Sequence, residues 1–292
     1  MRSVTWRHFD FWLFGVTVLL SIFGVAMIRS ALAGIPDWET TVQRQAIFVG
    51  IGLVVMLVVA VVDYHYWVSL IRPLYILTAG LLLVTVVLTR ARFGASRWLE
   101  TGLGILIQPS ELGKIVMILF LADYFAKTKD QPHDTRWIIR SLLPTSGLVV
   151  LIMLQPNLST TIVILVLWFM MIWISGLKLK QIAFLGLAAL VAIPLVFPFL
   201  ADYQKKRVIN FVAPDPNARH GDTYNVDQAL IAIGSGGLLG MGYGNGTQAQ
   251  LRFLKVRHTD FIFAVLAEEF GFVGTVAVIL LLLFVILRCL RV

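Results

Sequence analysis

Apolar runs long enough to cross a bilayer recur along this chain, and they restrict its fold more than any other feature. About eight can be marked off, at 11–32, 46–62, 75–88, 109–126, 138–154, 158–174, 182–200 and 261–290. Inside a bilayer no water is present to satisfy the backbone, so only helices or closed barrels can span it. These runs are continuously apolar, without the alternation a barrel strand needs. They predict an all-α polytopic membrane protein. Composition agrees: 59% of residues are hydrophobic and 14% charged, against about 25% charged in a soluble domain.

The first run follows Arg2 and Arg7 and ends near Ala31-Leu32-Ala33, as a secretory signal would. It is longer than a signal core and further spans follow, so a retained first helix is expected. Pro109 stands where proline suits a helix start. Gln155-Pro156-Asn157 reads as a turn opening the next helix. Pro194 and Pro198 are expected to kink the seventh span.

Lys and Arg in the short connections set the orientation. Arg2, Arg7, Lys127, Lys129, Arg136, Arg140, Lys178, Lys180, Arg288 and Arg291 all fall on one side if the N-terminus is cytoplasmic. The segment 201–259 then lies outside. It holds Lys205, Lys206, Arg207, Arg219, Arg252, Lys255 and Arg257, an excess that suits an anionic ligand at the outer face. Within it, 226–241 is apolar but too short to span, and Gly234, Gly236, Gly237 and Gly240 break it. A re-entrant or interfacial segment is expected. The net charge of +8 fits cytoplasmic loops and anionic membrane lipids better than nucleic acid, which is not an expected partner.

Asp260 is the leading candidate for chemistry. A carboxylate where a membrane helix meets water, just after Arg252, Lys255, Arg257 and His258, is expensive unless used. The competing reading is a helix N-cap, and the residues alone divide evenly between the two. Ala264, Ala267 and Gly271 follow at helical spacing, a small-residue stripe able to face other helices or a cavity. Glu268 and Glu269 lie deeper and suit structural roles. Glu111 and Lys114 are neighbours one turn apart, an ion pair or a device that positions a substrate group. Arg97 could hold a phosphate and Trp98 could anchor at the interface.

Other motifs carry less. The run GSGGLLGMGYGNG matches a dinucleotide fingerprint weakly, with no strand before it and no spaced acid after; close packing or a backbone that a ligand approaches fits better. His8, His65, His133, His220 and His258 lack metal-ligand spacing, and the single Cys289 excludes an internal disulfide.

Several blocks carry a family likeness. GASRWL with QPSELGKI, QPNLST, and IAIGSGGLLGMGYGNGTQAQL followed by RHTDFIFAVLAEEFGFVG resemble signatures of the SEDS proteins of shape, elongation, division and sporulation. The last block is closer to the RodA-like branch than to the FtsW-like one. The resemblance covers nearly the whole chain. It implies one membrane domain over 1–292 and a peptidoglycan glycosyltransferase that polymerises lipid II into glycan strands for cell elongation and rod shape. The site would face outward from the bacterial cytoplasmic membrane, with a class B penicillin-binding protein and the elongation machinery as partners. Asp260 stands at the family's essential aspartate and would act as general base in an inverting transfer. Arg97, Trp98, Glu111 and Lys114 match its other motif positions, and Gln248, Arg257 and His258 flank Asp260 in the matching block as candidate substrate contacts. A divalent cation, Mg²⁺ or Mn²⁺, could meet the leaving group's charge with few protein ligands.

The chain departs from the family at Asn157, Ser159, Lys255 and Val256. The family has about ten spans against about eight here, so a fragment or a shortened homologue is expected. Two other functions fit less well: a flippase or transporter of lipid-linked precursor, which would spread ionisable residues through the bundle, and a non-catalytic scaffold for a penicillin-binding protein.

Overall fold

A computed structural model describes residues 9–34, 38–91, 98–101, 105–155, 157–213, 224–254 and 256–291. Every expected span is a helix: α1 (Phe11–Leu32), α2 (Trp38–Val61), α4 (Ile71–Ala91), α5 (Pro109–Lys127), α6 (Thr135–Met153), α7 (Leu158–Ile174), α8 (Leu179–Val196) and α12 (Ile262–Leu290). Shorter helices are α3 (Tyr64–Ser69), α9 (Asp202–Val212), α10 (Tyr224–Ser235) and α11 (Thr247–Gln250). Six of the helices are long and apolar enough to cross a membrane. Of the other two expected spans, α7 has only 17 residues and α5 carries Glu111, Lys114, Asp123 and Lys127. The α4–α5 connection adds one feature to this helical fold, an antiparallel hairpin of β1 (Leu99–Thr101) and β2 (Ile105–Ile107), with Leu99 opposite Ile107.

Local chemistry sets the helix starts. Asp10 caps α1 by accepting from the Leu13 amide at 3.0 Å. Asp134 caps α6 through the Trp137 amide at 2.9 Å, and Asn157 caps α7 through the Thr160 amide. Each fills an orphan donor of a first turn. Pro109 opens α5, where its missing N–H costs nothing. Pro194 lies within α8, which ends in a single 3-10 turn at Phe197–Phe199.

The chain forms two compact units. The first comprises Met1–Val62 with Asn210–Val292, the second Asp63–Ile209. The expected outer segment 201–259 is therefore divided between them, within α9. The second unit packs α4 to α7 around large side chains, among them Leu82, Met117, Leu121, Phe125, Trp137 and Trp168. The first unit packs α1, α10 and α12 around small ones: Ala31, Ala229, Ala232, Ala249 and Ala264, with Met27, Leu254 and Val265. Small residues let helix backbones approach closely, the usual means of packing in a membrane. α1 is thus an integral part of the first unit.

Candidate functional site

Within the first unit, α12 is interrupted. Gly271 has φ 62° and ψ −162°, outside the helical region. The glycine-rich stretch after α10 fills the gap with backbone hydrogen bonds. The Met241 and Gly242 amides donate to the Glu268 and Glu269 carbonyls at 2.9 Å, and the Phe272 and Val273 amides donate to the Gly237 and Leu238 carbonyls at 2.9 and 3.1 Å. The exchange satisfies polar backbone that a broken membrane helix would leave bare. It also requires glycine. A Cβ on Gly240 (φ +81°) would lie 2.2 Å from the Glu269 carbonyl oxygen, and one on Gly271 would lie 2.3 Å from the Gly240 amide nitrogen. The glycine run is a close-packing device, as one of its two sequence readings expects.

Glu268 and Glu269, side by side at this break, are both buried. Glu268 accepts from the Gln248 amide at 2.7 Å, the Ala249 amide at 3.3 Å and the Thr247 hydroxyl at 3.1 Å. Its charge meets the first turn of α11, where free amides gather. Glu269 accepts from the Ser30 hydroxyl of α1. The structural roles expected of both are what the structure shows, and Ser30, which nothing in the sequence singled out, is the partner of one.

Residues 250–254 and 256–261, between α11 and α12, include side chains that reach the end of α1. Three side chains occupy carbonyls of its last turn and its exit. Gln250 donates to Ser30 O at 3.3 Å, Arg257 Nε to Ala31 O and Arg252 to Gly34 O. Cations at a helix C-terminus are favoured by its dipole. The positive excess of this segment therefore has a structural cause as well as any ligand. Two non-glycine residues here have positive φ, Arg252 at 65° and Val256 at 52°. For a β-branched valine this is a true outlier, of the kind that concentrates at functional sites.

Arg257 is buried, yet its Nη2 has no hydrogen-bond partner among the described residues. Burial, and then the Arg252 charge, lower its pKa; a guanidinium nonetheless stays a cation in proteins. Gln248 is comparable: its backbone amide is held by Glu268 while its side-chain oxygen is buried without a partner among the described residues. His258 is half-buried. Asp260 is exposed and makes no hydrogen bond or ion pair with a described residue. It is not the N-cap of α12: that position belongs to Phe261, and no side chain caps the helix start. Ala264, Ala267 and Gly271, the small stripe in register with it, are all buried.

The remaining candidates belong to the second unit. Lys114 Nζ and Glu111 form an ion pair at 2.9 Å on the first turn of α5, and Trp98 is exposed just before β1. Arg97 lies outside the described residues, as does Lys255. Among the described residues no cluster of three His, Cys, Asp or Glu side chains could hold a metal.

A family model described as "Cell cycle protein", built on FtsW, RodA and SpoVE, matches residues 10–292. The chain belongs to the SEDS family. Among SEDS relatives it is 35% identical over 250 residues to "Peptidoglycan glycosyltransferase MrdB" of Escherichia coli, covering 84% of this chain and 66% of the relative. It is 33% identical over 291 residues to "Stage V sporulation protein E" of Bacillus subtilis, covering 95% and 77%. The SEDS fold is also met in a solved structure on the coordination of polymerization and crosslinking by a peptidoglycan synthase complex. That match has a TM-score of 0.74 and 26% identity, covering 97% of this chain and 77% of the other.

Proposed function

We infer that this chain is a peptidoglycan glycosyltransferase of the bacterial cytoplasmic membrane, working beside a class B penicillin-binding protein. The observation that carries the reading is local to 248–260. Among the described residues, an exposed carboxylate without a partner stands three residues after a buried arginine with an unfilled donor, next to strained backbone. A buried cation that is only partly paired favours an anion beside it, and an unpaired carboxylate is free to take a proton. A lipid-linked pyrophosphate disaccharide supplies both the anion and, from a second molecule, the hydroxyl.

In this mechanism Asp260 removes the proton from the acceptor sugar's hydroxyl. The oxygen bonds to the donor's anomeric carbon, the carbon–oxygen bond to the pyrophosphate breaks, and the configuration inverts. Arg257 offers a donor to the phosphate, and the Gln248 side-chain oxygen accepts from a sugar hydroxyl. Glu111, Lys114, Arg97 and Trp98 are further substrate contacts in this reading, carried by the family resemblance. A role in elongation rests on the RodA-like character of the last motif block. The basic ends of the helices would face the cytoplasm and Asp260 the outside. Names among the relatives support the activity, and the synthase complex supports the partner. A transport path would use the deep carboxylates Glu268 and Glu269, but hydrogen bonds within the unit engage both.

The test is polymerisation of lipid II by the chain reconstituted with its penicillin-binding partner. Asp260→Asn should lower the rate about 10²–10⁴-fold. Because Asp260 caps nothing, its melting temperature should stay at the wild-type value. An Asn variant that polymerises normally would remove Asp260 from the mechanism.

A further inference from the structure

The second unit has a markedly basic end. The C-terminus of α5 leads to the N-terminus of α6, and the His133 ring and carbonyl are hydrogen-bonded to Gly176 and Gln181 at the α7–α8 turn. Lys127, Lys129, Arg136, Arg140, Lys178 and Lys180 are thereby gathered at one end of the bundle. A recess of about 430 Å³ opens at this end between α3, the first turn of α4 and the last turns of α5.

Its polar lining includes Arg72, Lys127 and Asp123. Lys127 Nζ pairs with Asp123 at 2.7 Å. Arg72 is exposed and makes no hydrogen bond or ion pair with a described residue. Two cations against one carboxylate leave the recess one positive charge. The Tyr124 hydroxyl is committed to the Trp137 carbonyl at 3.1 Å and the Ser69 hydroxyl to the Tyr66 carbonyl at 2.7 Å. The free donors are thus those of Arg72 and the remaining protons of Lys127. Val68, Ile71 and Phe120 line the apolar part. The recess lies at the end of the membrane-crossing stretch Ile71–Leu88, beside the exposed Tyr64 and Tyr66 of α3. Tyrosines of this kind mark headgroup depth.

We propose that this recess binds the phosphodiester of an anionic membrane phospholipid. The arginine fork takes the phosphate oxygens, Lys127 turns from Asp123 to share them, and the apolar wall receives the glycerol and the first acyl carbons. A singly charged phosphodiester matches the recess's single net charge. Basic pockets between membrane helices are a recurrent setting for such headgroups. None of its lining residues is assigned to the transfer reaction, so it is a lipid-dependent hold on the bundle's basic end.

The experiment uses the purified chain in phosphatidylcholine nanodiscs with and without phosphatidylglycerol, with retained lipid counted by native mass spectrometry. Arg72→Gln and Lys127→Gln should each weaken phosphatidylglycerol retention about fivefold. Lys178→Gln with Lys180→Gln, at the same end but outside the recess, should leave it unchanged. An equal loss in that control means diffuse surface attraction and overturns the site. Asp123→Asn, which removes the competing carboxylate, should tighten retention. It also tests the proposal if the arginine variant fails to fold, and weaker retention there overturns it. Inorganic phosphate, which lacks acyl chains, should not displace the lipid at millimolar concentration. Displacement would make the recess a site for free anions and overturn the lipid assignment.

Discussion

The two units solve the same packing problem with different materials. In the second, large apolar side chains such as Leu148, Ile152, Ile164 and Trp168 interlock between unbroken helices. α6 remains helical even through Pro144, whose carbonyl accepts from the Tyr75 hydroxyl at 2.8 Å. In the first, the core is mostly alanine, a helix is broken, and backbone hydrogen bonds and two buried carboxylates fill the break. Side-chain packing tolerates exchange, since a core of suitable size and polarity can readjust. Backbone-to-backbone contact has no such slack. The unit that carries Asp260 is the one whose geometry is over-determined, which is what the proposed site would need.

The sharpest way to break this comparison is to add one methyl group to each unit. Gly240→Ala would place a Cβ 2.2 Å from a carbonyl oxygen at φ +81°. Neither backbone can yield without undoing the hydrogen bonds at the break, so a loss of about 4 kcal/mol or more is expected. It would be seen as a collapse in melting temperature or in detergent-soluble yield. Gly113→Ala, in α5 of the second unit, meets only the Thr78 methyl at 3.8 Å and the end of Ile152 at 4.0 Å. Those are ordinary contacts, and alanine gains up to about 1 kcal/mol in a helix interior. If both variants melt alike, the contrast between the units fails.

The spans are legible in the sequence because hydropathy over some twenty residues is a local property. The runs 11–32 and 158–174 coincide with α1 and α7. The apolar run at 46–62 starts eight residues inside α2, because the polar turns of Trp38–Arg44 are helical without being apolar. The hairpin before α5 and the helices α3 and α11 are too short to leave a periodic signal, and α9 is too polar to stand out by hydropathy. Asp260 was legible as an ionisable group at a helix mouth. Its cap alternative could not be settled until the helix start was seen one residue further on. The glycines were legible as packing residues, but their partner was not. That partner is the break in α12, some thirty residues away, and nothing local in the sequence announces a backbone pairing of that range.

A middle-sized effect is expected from the buried polar groups. Glu268→Gln replaces an acceptor for three donors with a side chain whose amide would face the Ala249 N–H. Leaving a buried backbone donor unpaired costs about 1–3 kcal/mol, so a lower melting temperature and a looser 247–250 segment in hydrogen exchange are expected. In the second unit Gln155 donates to Leu82 O at 3.0 Å and to the Thr85 hydroxyl oxygen, and its own side-chain oxygen has no partner among the described residues. Gln155→Met should cost less, within about 1 kcal/mol, because the Leu82 carbonyl keeps the Thr85 hydroxyl as a donor and is not left bare. The reverse order would mean that polar groups, not backbone contact, specify the second unit.

The smallest effect concerns the other end of the first unit, where the start of α1 meets the end of α12. Asp10 accepts from the Arg288 guanidinium and from the Leu13 amide. The hydrogen bond from Arg288, before the amide of Leu13, holds the Asp10 carboxyl below its ordinary pKa. A carboxyl depressed in the folded state stabilises that state in its ionised form. The contribution is complete above the ordinary value of about 3.9, so it is present at neutral pH and lost as pH falls through the lowered value. Asp10→Asn keeps the cap and removes the charge. Because this is a surface pair, the loss at neutral pH should be slight. Melting temperatures of wild type and variant, measured against pH, should coincide at the acid extreme, part as pH rises through the lowered value, and keep a constant separation above about pH 4. Hydrogen exchange should register the change in α1 and the last turns of α12 and leave α5 to α7 unaltered. Curves that run parallel at every pH would show that the pairing with Arg288 contributes nothing, and that small-residue packing alone joins α1 to α12.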